Sequence, residues 1–181
     1  MEFTAKTIVL KNGSAALLRS PKPEDAAEMV AFMQCVASET DYLYMSPEDG
    51  FLTPEQESEK LSHALADPMG LTIVCEVDGQ IAGNCQITFD RRAKLRHRAT
   101  VAIALRERYW GLGLGTAMMT ELIAAAKSRG IHQVELDYIQ GNDRGRALYE
   151  KLGFVPFGEH PDAVLRRDGT MCPLILMRLM L

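Results

Sequence analysis

Short runs of mostly apolar residues recur along the chain and are separated by turn-forming pairs. Asn12-Gly13 and Asp78-Gly79 each stand between two such runs, and Asn-Gly and Asp-Gly favour the tight turns that join antiparallel strands. The runs predicted as strands are Thr7–Leu10, Ala15–Arg19, Leu71–Val77, Gln80–Phe89, Ala99–Leu105, Gln133–Ile139, Val155–Glu159 and Met171–Met180. This pattern predicts a sheet that is built largely from antiparallel neighbours.

Longer segments between these strands carry helix start and stop signals. Thr53-Pro54 combines an N-cap residue with Pro at the first helical position, and Gln56 follows three residues after the cap, as in a capping box. Gly130 and Gly153 each stand shortly after a basic residue, which is typical of a left-handed C-terminal cap. The predicted helices are Pro23–Ser38, Pro54–Ala66, Ala117–Arg129 and Asn142–Leu152. The predicted fold class is therefore α/β of the α+β kind, with a mixed, mostly antiparallel central sheet flanked by helices.

Length and composition narrow the class of protein. The chain has 181 residues, of which 47% are hydrophobic and 24% are charged, and this predicts a single domain over residues 1–181 with an apolar core. Its net charge of −4 argues against a nucleic-acid binder, which usually has a dominating positive field. No apolar run approaches the roughly 20 residues of a membrane span, and the first residues lack a signal-peptide core. We expect a cytoplasmic protein with no nucleic-acid or membrane partner.

The cysteines give no support for a metal site. Cys35, Cys75, Cys85 and Cys172 include no Cys-x-x-Cys pair, and no His lies at zinc-finger spacing from them. Scattered single cysteines are typical of small buried residues in a reducing compartment. No metal is therefore expected.

Three alternating glycines, Gly111, Gly113 and Gly115, lie between a predicted strand and a predicted helix. Without β-carbons, the backbone there can bring its N–H groups close to a ligand. The first N–H groups of a helix lack internal partners and the helix dipole adds positive charge, so the segment suits a pyrophosphate. A P-loop would need Lys after Gly115, and a dinucleotide fingerprint would need Gly at position 116, where the chain has Thr116. A glycine turn without a ligand stays open at this point.

Two motifs in the second half of the chain carry a resemblance to a known family. Trp110-Gly111-Leu112-Gly113-Leu114-Gly115 follows the pattern Arg/Gln-x-x-Gly-x-Gly/Ala, and Leu148–Phe154 reads Leu-Tyr-x-Lys-Leu-Gly-Phe after Asn142. In this order and spacing, across Val101–Phe154, they resemble the GNAT superfamily of N-acetyltransferases. Trp110 stands where the family usually has Arg or Gln, and an aromatic residue there resembles the branch related to ribosomal-protein N-acetyltransferases.

The resemblance implies acetyl-CoA as the donor and a primary amine as the acceptor, with direct acetyl transfer in a ternary complex. The acceptor stays open between a small molecule, a protein N-terminus and a lysine. The strand before the glycine loop (residues 111–116) is implied to pair with the amide-like pantetheine arm, much as an added strand would. The implied cofactor-binding residues are Ile103, Leu105, Trp110, Gly111, Leu112, Gly113, Leu114, Gly115, Thr116 and Asn142. For Asn142, a plain helix N-cap is an equal alternative.

Tyr149 is the general acid that the resemblance implies for the departing thiolate. It follows Asn142 by seven residues, about two helical turns, so both side chains are expected on one helix face. The acceptor amine needs a base, because an amine with a pKa of about 10.4 is protonated at neutral pH. Glu39 is the first candidate for this base and Asp137 the second. The alternatives are a core aromatic at Tyr149 and a solvated acid at Glu39.

Other functions and partners are left open by the sequence. A non-catalytic acyl-CoA-binding module would keep the glycine loop without the chemistry, and a purely structural α/β domain would not bind CoA.

Acidic residues crowd Glu39–Lys60 and are hypothesised to attract a cationic amine. Basic residues crowd Arg91–Arg98, where a solvated turn is the simpler interpretation. The apolar run Leu174–Met177 fits either a core strand or a homodimer contact.

Overall fold

The computed structural model describes residues 1–181, and its eight strands form one sheet. The strands are β1 Lys6–Val9, β2 Ala15–Arg19, β3 Gly70–Val77, β4 Gln80–Phe89, β5 Arg98–Leu105, β6 Gln133–Ile139, β7 Val155–Leu165 and β8 Met171–Met180. Their order across the sheet is β1-β2-β3-β4-β5-β6-β8-β7. All neighbours are antiparallel except β5 and β6, which are parallel. The predicted fold class, a mixed and mostly antiparallel sheet with flanking helices, is confirmed.

Four α-helices connect the strands, and their capping follows local sequence. The helices are α1 Ala26–Glu39, α2 Pro54–Ala66, α3 Leu114–Ser128 and α4 Asp143–Lys151. At the start of α2, the Gln56 N–H donates to Thr53 Oγ1 at 3.3 Å and the Thr53 N–H donates to Gln56 Oε1 at 2.9 Å. This reciprocal pair is the capping box that the sequence predicts. Before α1, residues Pro23–Asp25 form a 3-10 turn, so that helix begins later than predicted.

Two further boundaries differ from the sequence prediction. Helix α3 begins at Leu114, because the Ala117 N–H already donates to the Gly113 carbonyl at 3.1 Å. Strand β7 extends to Leu165, because its pairing with β8 continues across two register shifts. Pro161 is tolerated inside β7 because it lies in the second register shift, between His160 and Val164, where β7 has no paired residue in β8. The run Leu174–Met177 lies in β8, which pairs with β6 on one side and β7 on the other.

Helices cover both faces of the sheet. Helix α3 packs on one face, where Met118, Met119 and Leu122 are fully buried in a cluster of 25 apolar residues. Helices α1 and α2 cover the other face through a cluster of 7 buried residues that includes Phe32 and Leu61. Burying an apolar side chain of this size contributes about 1.5–3 kcal/mol to folding. Packing on both faces therefore fixes the sheet that carries the functional site.

Strands β5 and β6 are paired only over their first residues. Their register runs from Arg98 opposite Gln133 to Thr100 opposite Glu135, after which the two strands diverge. Beyond that point β5 stays paired with β4, and β6 with β8. The divergence opens a cleft in the middle of the sheet. No helix combines the length and the hydrophobicity that crossing a membrane requires.

Candidate active site

The cleft between the diverging strands widens into a cavity of about 800 Å³. Its walls come from β5, β6, the glycine loop before α3, the residues of α4 and the segment after α1. Among the residues singled out from the sequence, those that line it are Ile103, Leu105, Trp110, Gly111, Gly113, Leu114, Gly115, Thr116, Asp137, Asn142 and Tyr149. The fold thus brings residues of both sequence motifs into the walls of one cavity.

The cleft-facing edge of β5 carries free backbone donors. The Arg106 N–H donates to the Ala82 carbonyl on the side of β4 at 3.0 Å. Because backbone groups point to alternate sides along a strand, the N–H groups of Ile103 and Leu105 point away from β4 and into the cleft. The Leu105 carbonyl, on the same side, accepts a hydrogen bond from Trp110 Nε1 at 3.0 Å. The indole therefore closes the end of this edge and leaves the two N–H groups available.

The glycine loop leads directly into α3. Gly111 and Gly113 have φ values of 77° and 90°, in the left-handed region that favours glycine. Gly113 is the N-cap of α3, and the first helical bond is that of Ala117 to its carbonyl. The N–H groups of residues 114–116 therefore have no partner within the helix. Together with the helix dipole, they form a site suited to an anion.

Gly115 and Leu112 hold the glycine loop close to the neighbouring elements. A β-carbon built at Gly115 would lie 3.1 Å from Leu148 Cδ2 and 3.2 Å from Leu105 Cδ1, so glycine lets α4 and β5 approach the start of α3. Leu112 does not line the cavity. Its carbonyl accepts the Lys11 N–H at 3.0 Å, which ties the turn between β1 and β2 to the glycine loop.

Helix α4 brings an amide and a phenol to the cavity wall. Asn142 caps the helix, and its Oδ1 accepts the Gly145 N–H at 2.9 Å, so the capping role is observed at a residue that also lines the cavity. Tyr149 is 8% exposed, and its ring centroid lies 6.1 Å from that of Tyr138 and 6.2 Å from that of Phe154. Burial, together with the negative charge of Asp137, raises the pKa of Tyr149 to about 12.

Asp137 faces the cavity from β6, across from the segment that follows α1. The Tyr44 hydroxyl donates a hydrogen bond to Asp137 Oδ1. Loss of hydration in the cavity wall raises the pKa of the Asp137 carboxyl above its ordinary value. The group is therefore a stronger proton acceptor than a carboxylate in water.

Glu39 lies at the end of α1 and is not part of the cavity lining. Its Oε2 accepts the Glu107 N–H at 2.8 Å, and its Oε1 accepts a weak hydrogen bond from Cys35 Sγ at 3.2 Å. These bonds connect α1 to the turn before the glycine loop. A role for Glu39 as a base stays a prediction, and the observed contacts are those of a carboxylate that holds a backbone segment.

Several residues of the cavity wall were not singled out from the sequence. Lys11, Tyr42, Tyr44 and Arg144 line it. Arg144 lies within the segment 142–154 that carries the second motif, so its place on the first turn of that helix is a signal that was available. No local pattern marks Lys11 or the tyrosines, because they reach the cavity through contacts between elements that are distant in sequence.

The chain is similar to known proteins. Residues 37–154 match the acetyltransferase (GNAT) family. A Bacillus subtilis protein named as a ribosomal-protein alanine N-acetyltransferase is 25% identical over 118 residues, which cover 65% of this chain and 76% of that protein. A mycothiol acetyltransferase from Beutenbergia cavernae is 30% identical over 158 residues, and the match covers 81% of this chain and 50% of that enzyme.

A solved structure has the same fold. The acetyltransferase of the GNAT family from Streptococcus pneumoniae superposes with a TM-score of 0.84 at 31% identity, covering 92% of this chain and 99% of that one. The family match spans more than half of the chain and includes both sequence motifs. The chain belongs to the GNAT family of acetyltransferases, as those motifs predicted.

Proposed function

We propose that residues 1–181 form one acetyl-CoA-dependent N-acetyltransferase domain, which transfers an acetyl group directly to a primary amine in a ternary complex. One observation carries this proposal: a single cavity joins the free N–H groups of β5, the glycine loop of α3 and the phenol of Tyr149. These three features suit the pantetheine amides, the diphosphate and the sulfur of acetyl-CoA. A volume of about 800 Å³ lies within the range of small-molecule sites.

The donor would be held mainly by backbone groups. Ile103 and Leu105 offer N–H groups to the pantetheine arm, and residues 114–116 offer theirs to the diphosphate. Acetyl-CoA supplies a thioester carbonyl that a neutral amine can attack. An N–H of β5 directed at the carbonyl oxygen would stabilise the negative charge that develops there, and one donor of this kind is typically worth about 2.7–4 kcal/mol.

Tyr149 is proposed to assist the departing sulfur. Its pKa of about 12 lies well above the value of about 8.5 for a thiol, so the hydroxyl keeps its proton at neutral pH and can donate a hydrogen bond. As the C–N bond forms, the C–S bond breaks, the sulfur leaves with its electron pair, and the attacking nitrogen gives up one N–H proton to solvent. The hydroxyl stabilises the thiolate, and any proton that it gives up returns from solvent.

Asp137 is the carboxylate that the geometry favours as the base. It lines the cavity, hydrogen-bonds the Tyr44 hydroxyl and has a raised pKa, so it can accept the proton of an ammonium group directly or through water. Glu39 would first have to release the Glu107 N–H. The acceptor itself stays open between a small molecule, a protein N-terminus and a lysine.

Thiol release from acetyl-CoA, measured with a panel of primary amines, tests the proposal. The panel contains polyamines, amino acids, and peptides with a free N-terminus or a lysine, and the purified protein without amine is the control. We expect amine-dependent thiol release with one acetylated amine formed per thiol. Stabilisation of the protein by CoA without turnover on any amine would favour a non-catalytic acyl-CoA-binding module. No stabilisation by CoA at all would contradict both functions.

A further inference from the structure

The cavity is lined by more cations than its proposed chemistry requires. Lys11, Arg144 and Lys151 contribute to its walls, together with the carboxylates of Asp137 and Asp143. None of the three cations forms an ion pair with a carboxylate of the chain. An unpaired Lys or Arg in a ligand cavity is available for an anionic group of the ligand.

Lys11 is held beside the glycine loop by its backbone. Its N–H donates to the Leu112 carbonyl at 3.0 Å, which fixes the turn between β1 and β2 against the loop. Its side-chain carbons Cγ and Cε lie 3.8 and 3.9 Å from the position that a β-carbon would take at Gly113. The aliphatic stem therefore runs along the loop, and the ammonium group lies near the start of α3.

Arg144 approaches the same loop from α4. Its guanidinium carbon lies 5.0 Å from the centroid of the Trp110 ring, and the Trp110 indole is fixed by its hydrogen bond to the Leu105 carbonyl. Stacking on an aromatic face leaves the N–H groups at the edge of a guanidinium free to bind an anion. Lys11 and Arg144 thus reach the glycine loop from two elements that are far apart in sequence.

We propose that Lys11 and Arg144 form an anion subsite for a phosphate monoester of the donor nucleotide, which for acetyl-CoA is its 3′-phosphate. This inference rests on the proposed function, because it takes acetyl-CoA as the donor. The diphosphate already has uncharged donors in the N–H groups of residues 114–116, so the two cations are left for a second anionic group. A phosphate monoester carries about −1.5 to −2 charge at neutral pH, which matches two cationic side chains.

The test compares CoA with 3′-dephospho-CoA, which lacks only the phosphate monoester. Dissociation constants for both are measured by calorimetry with the wild-type chain, Lys11→Met, Arg144→Gln and the double variant. Lys94→Met and Arg96→Gln are matched controls, because they remove the same charges from exposed residues outside the cavity. Arg144→Lys tests whether positive charge alone is sufficient at that position.

We expect the wild-type chain to bind CoA at least roughly tenfold more tightly than 3′-dephospho-CoA. Lys11→Met and Arg144→Gln should each weaken CoA binding about fivefold to tenfold and change the affinity for 3′-dephospho-CoA less than about twofold. The double variant should no longer distinguish the two ligands, Arg144→Lys should keep part of the preference, and both controls should behave as wild type. Added salt should reduce the preference of the wild-type chain for CoA over 3′-dephospho-CoA, because exposed charges are screened over about 10 Å at 0.1 M.

Equal affinity of the wild-type chain for the two ligands would overturn the subsite, and acetyl transfer measured in the same preparation would show that the proposed function stands. Equal weakening of both ligands in the variants would also overturn it, because the cations would then serve the diphosphate. If the wild-type chain bound neither ligand and transferred no acetyl group, the proposed function would fail together with the subsite.

Discussion

Tyr149 combines deep burial with access to the cavity. The ring packs between Tyr138 and Phe154, and only 8% of the residue is exposed. Burial keeps the phenol neutral, with a pKa of about 12, through the whole range in which an acceptor amine with a pKa of about 10.4 loses its proton. The ionisation of Tyr149 therefore imposes no limit on the rate at the pH values where the amine becomes reactive.

Replacing Tyr149 with Phe removes the hydroxyl and keeps the ring packing. For Tyr149→Phe we expect kcat to fall by roughly 10²–10⁴, the usual contribution of a positioned acid or base, and the dissociation constant for CoA to change less than about twofold. Steady-state thiol release and calorimetry measure the two quantities. Tyr138→Phe makes the same chemical change on the neighbouring ring of the cavity wall and should keep kcat within a small factor of wild type. An unchanged kcat in Tyr149→Phe would exclude this hydroxyl from the reaction.

Asp137 and Glu39 differ in what their carboxylates contact, and this separates them as bases. We expect Asp137→Asn to lower kcat/KM for the amine at least about tenfold and to move the acid limb of its pH profile up towards the pKa of the free amine, about 10.4. In the wild type that limb should lie above the ordinary Asp pKa of about 3.9, because desolvation raises the pKa of Asp137 and activity is lost as pH falls through it. An amide at position 39 can still accept the Glu107 N–H, so Glu39→Gln should resemble wild type. A shift of the acid limb in Glu39→Gln alone would identify Glu39 as the base.

At the scale of elements, the start of α3 depends on a backbone conformation that only glycine adopts easily. Gly113 has a φ of 90°, and forcing an L-residue into such a conformation costs of order 1–3 kcal/mol. Gly113→Ala should therefore lower the free energy of unfolding by about this amount. It should also raise the dissociation constant for CoA, because the new β-carbon stands beside the N–H groups proposed to hold the diphosphate.

Gly169→Ala is the matched control for that variant. Gly169 lies in the turn between β7 and β8 with a φ of 82° and nothing within 4 Å of its would-be β-carbon. Urea unfolding should show a similar loss of stability in the two variants, whereas only Gly113→Ala should bind CoA more weakly in calorimetry. Equal CoA affinity in the two variants would show that the glycine loop does not contact the diphosphate.

Local signals predicted the elements well because their causes lie within a few residues. The turn at Asn12-Gly13, the capping box of Thr53 and the cap at Asn142 all depend on bonds to near neighbours. The extension of β7 to Leu165 was not predicted, because its pairing with β8 continues across bulges that no local sequence pattern indicates. The positions of the elements could thus be predicted from the sequence, whereas the length of a strand that depends on its pairing partner could not.

At the scale of the whole molecule, the contacts that complete the cavity come from long-range packing. The bond from Lys11 to Leu112 and the bond from Glu107 to Glu39 each join distant elements. Sequence motifs predicted the side of the cavity that is formed by β5, the glycine loop and α4, because that side is built from one continuous segment. The opposite side is assembled from the segment after α1 and from β6, and its residues carry no shared pattern.

The cleft also makes the stability of the whole sheet sensitive to a ligand. Strands β5 and β6 share only the pairs between residues 98–100 and 133–135, so a molecule bound by β5 on one side and α4 on the other would add contacts across the gap. Helix α3 contacts β3, β4 and β5, and its Leu122 is fully buried in the apolar cluster on that face of the sheet. Core packing and ligand binding therefore stabilise the same native state, and their free energies should add.

Leu122→Ala tests this addition. Removing a buried Leu side chain costs about 2–5 kcal/mol, whereas a ligand at 100 times its dissociation constant returns about 2.7 kcal/mol when it binds only the native state. We expect urea unfolding to show a large loss of stability in Leu122→Ala and a similar gain on addition of CoA in both the variant and the wild type, with CoA at 100 times the dissociation constant of each. An unchanged unfolding midpoint at that CoA concentration would mean that the native cleft does not bind CoA. A gain in the wild type alone would mean that the packing of α3 is required to form the binding site.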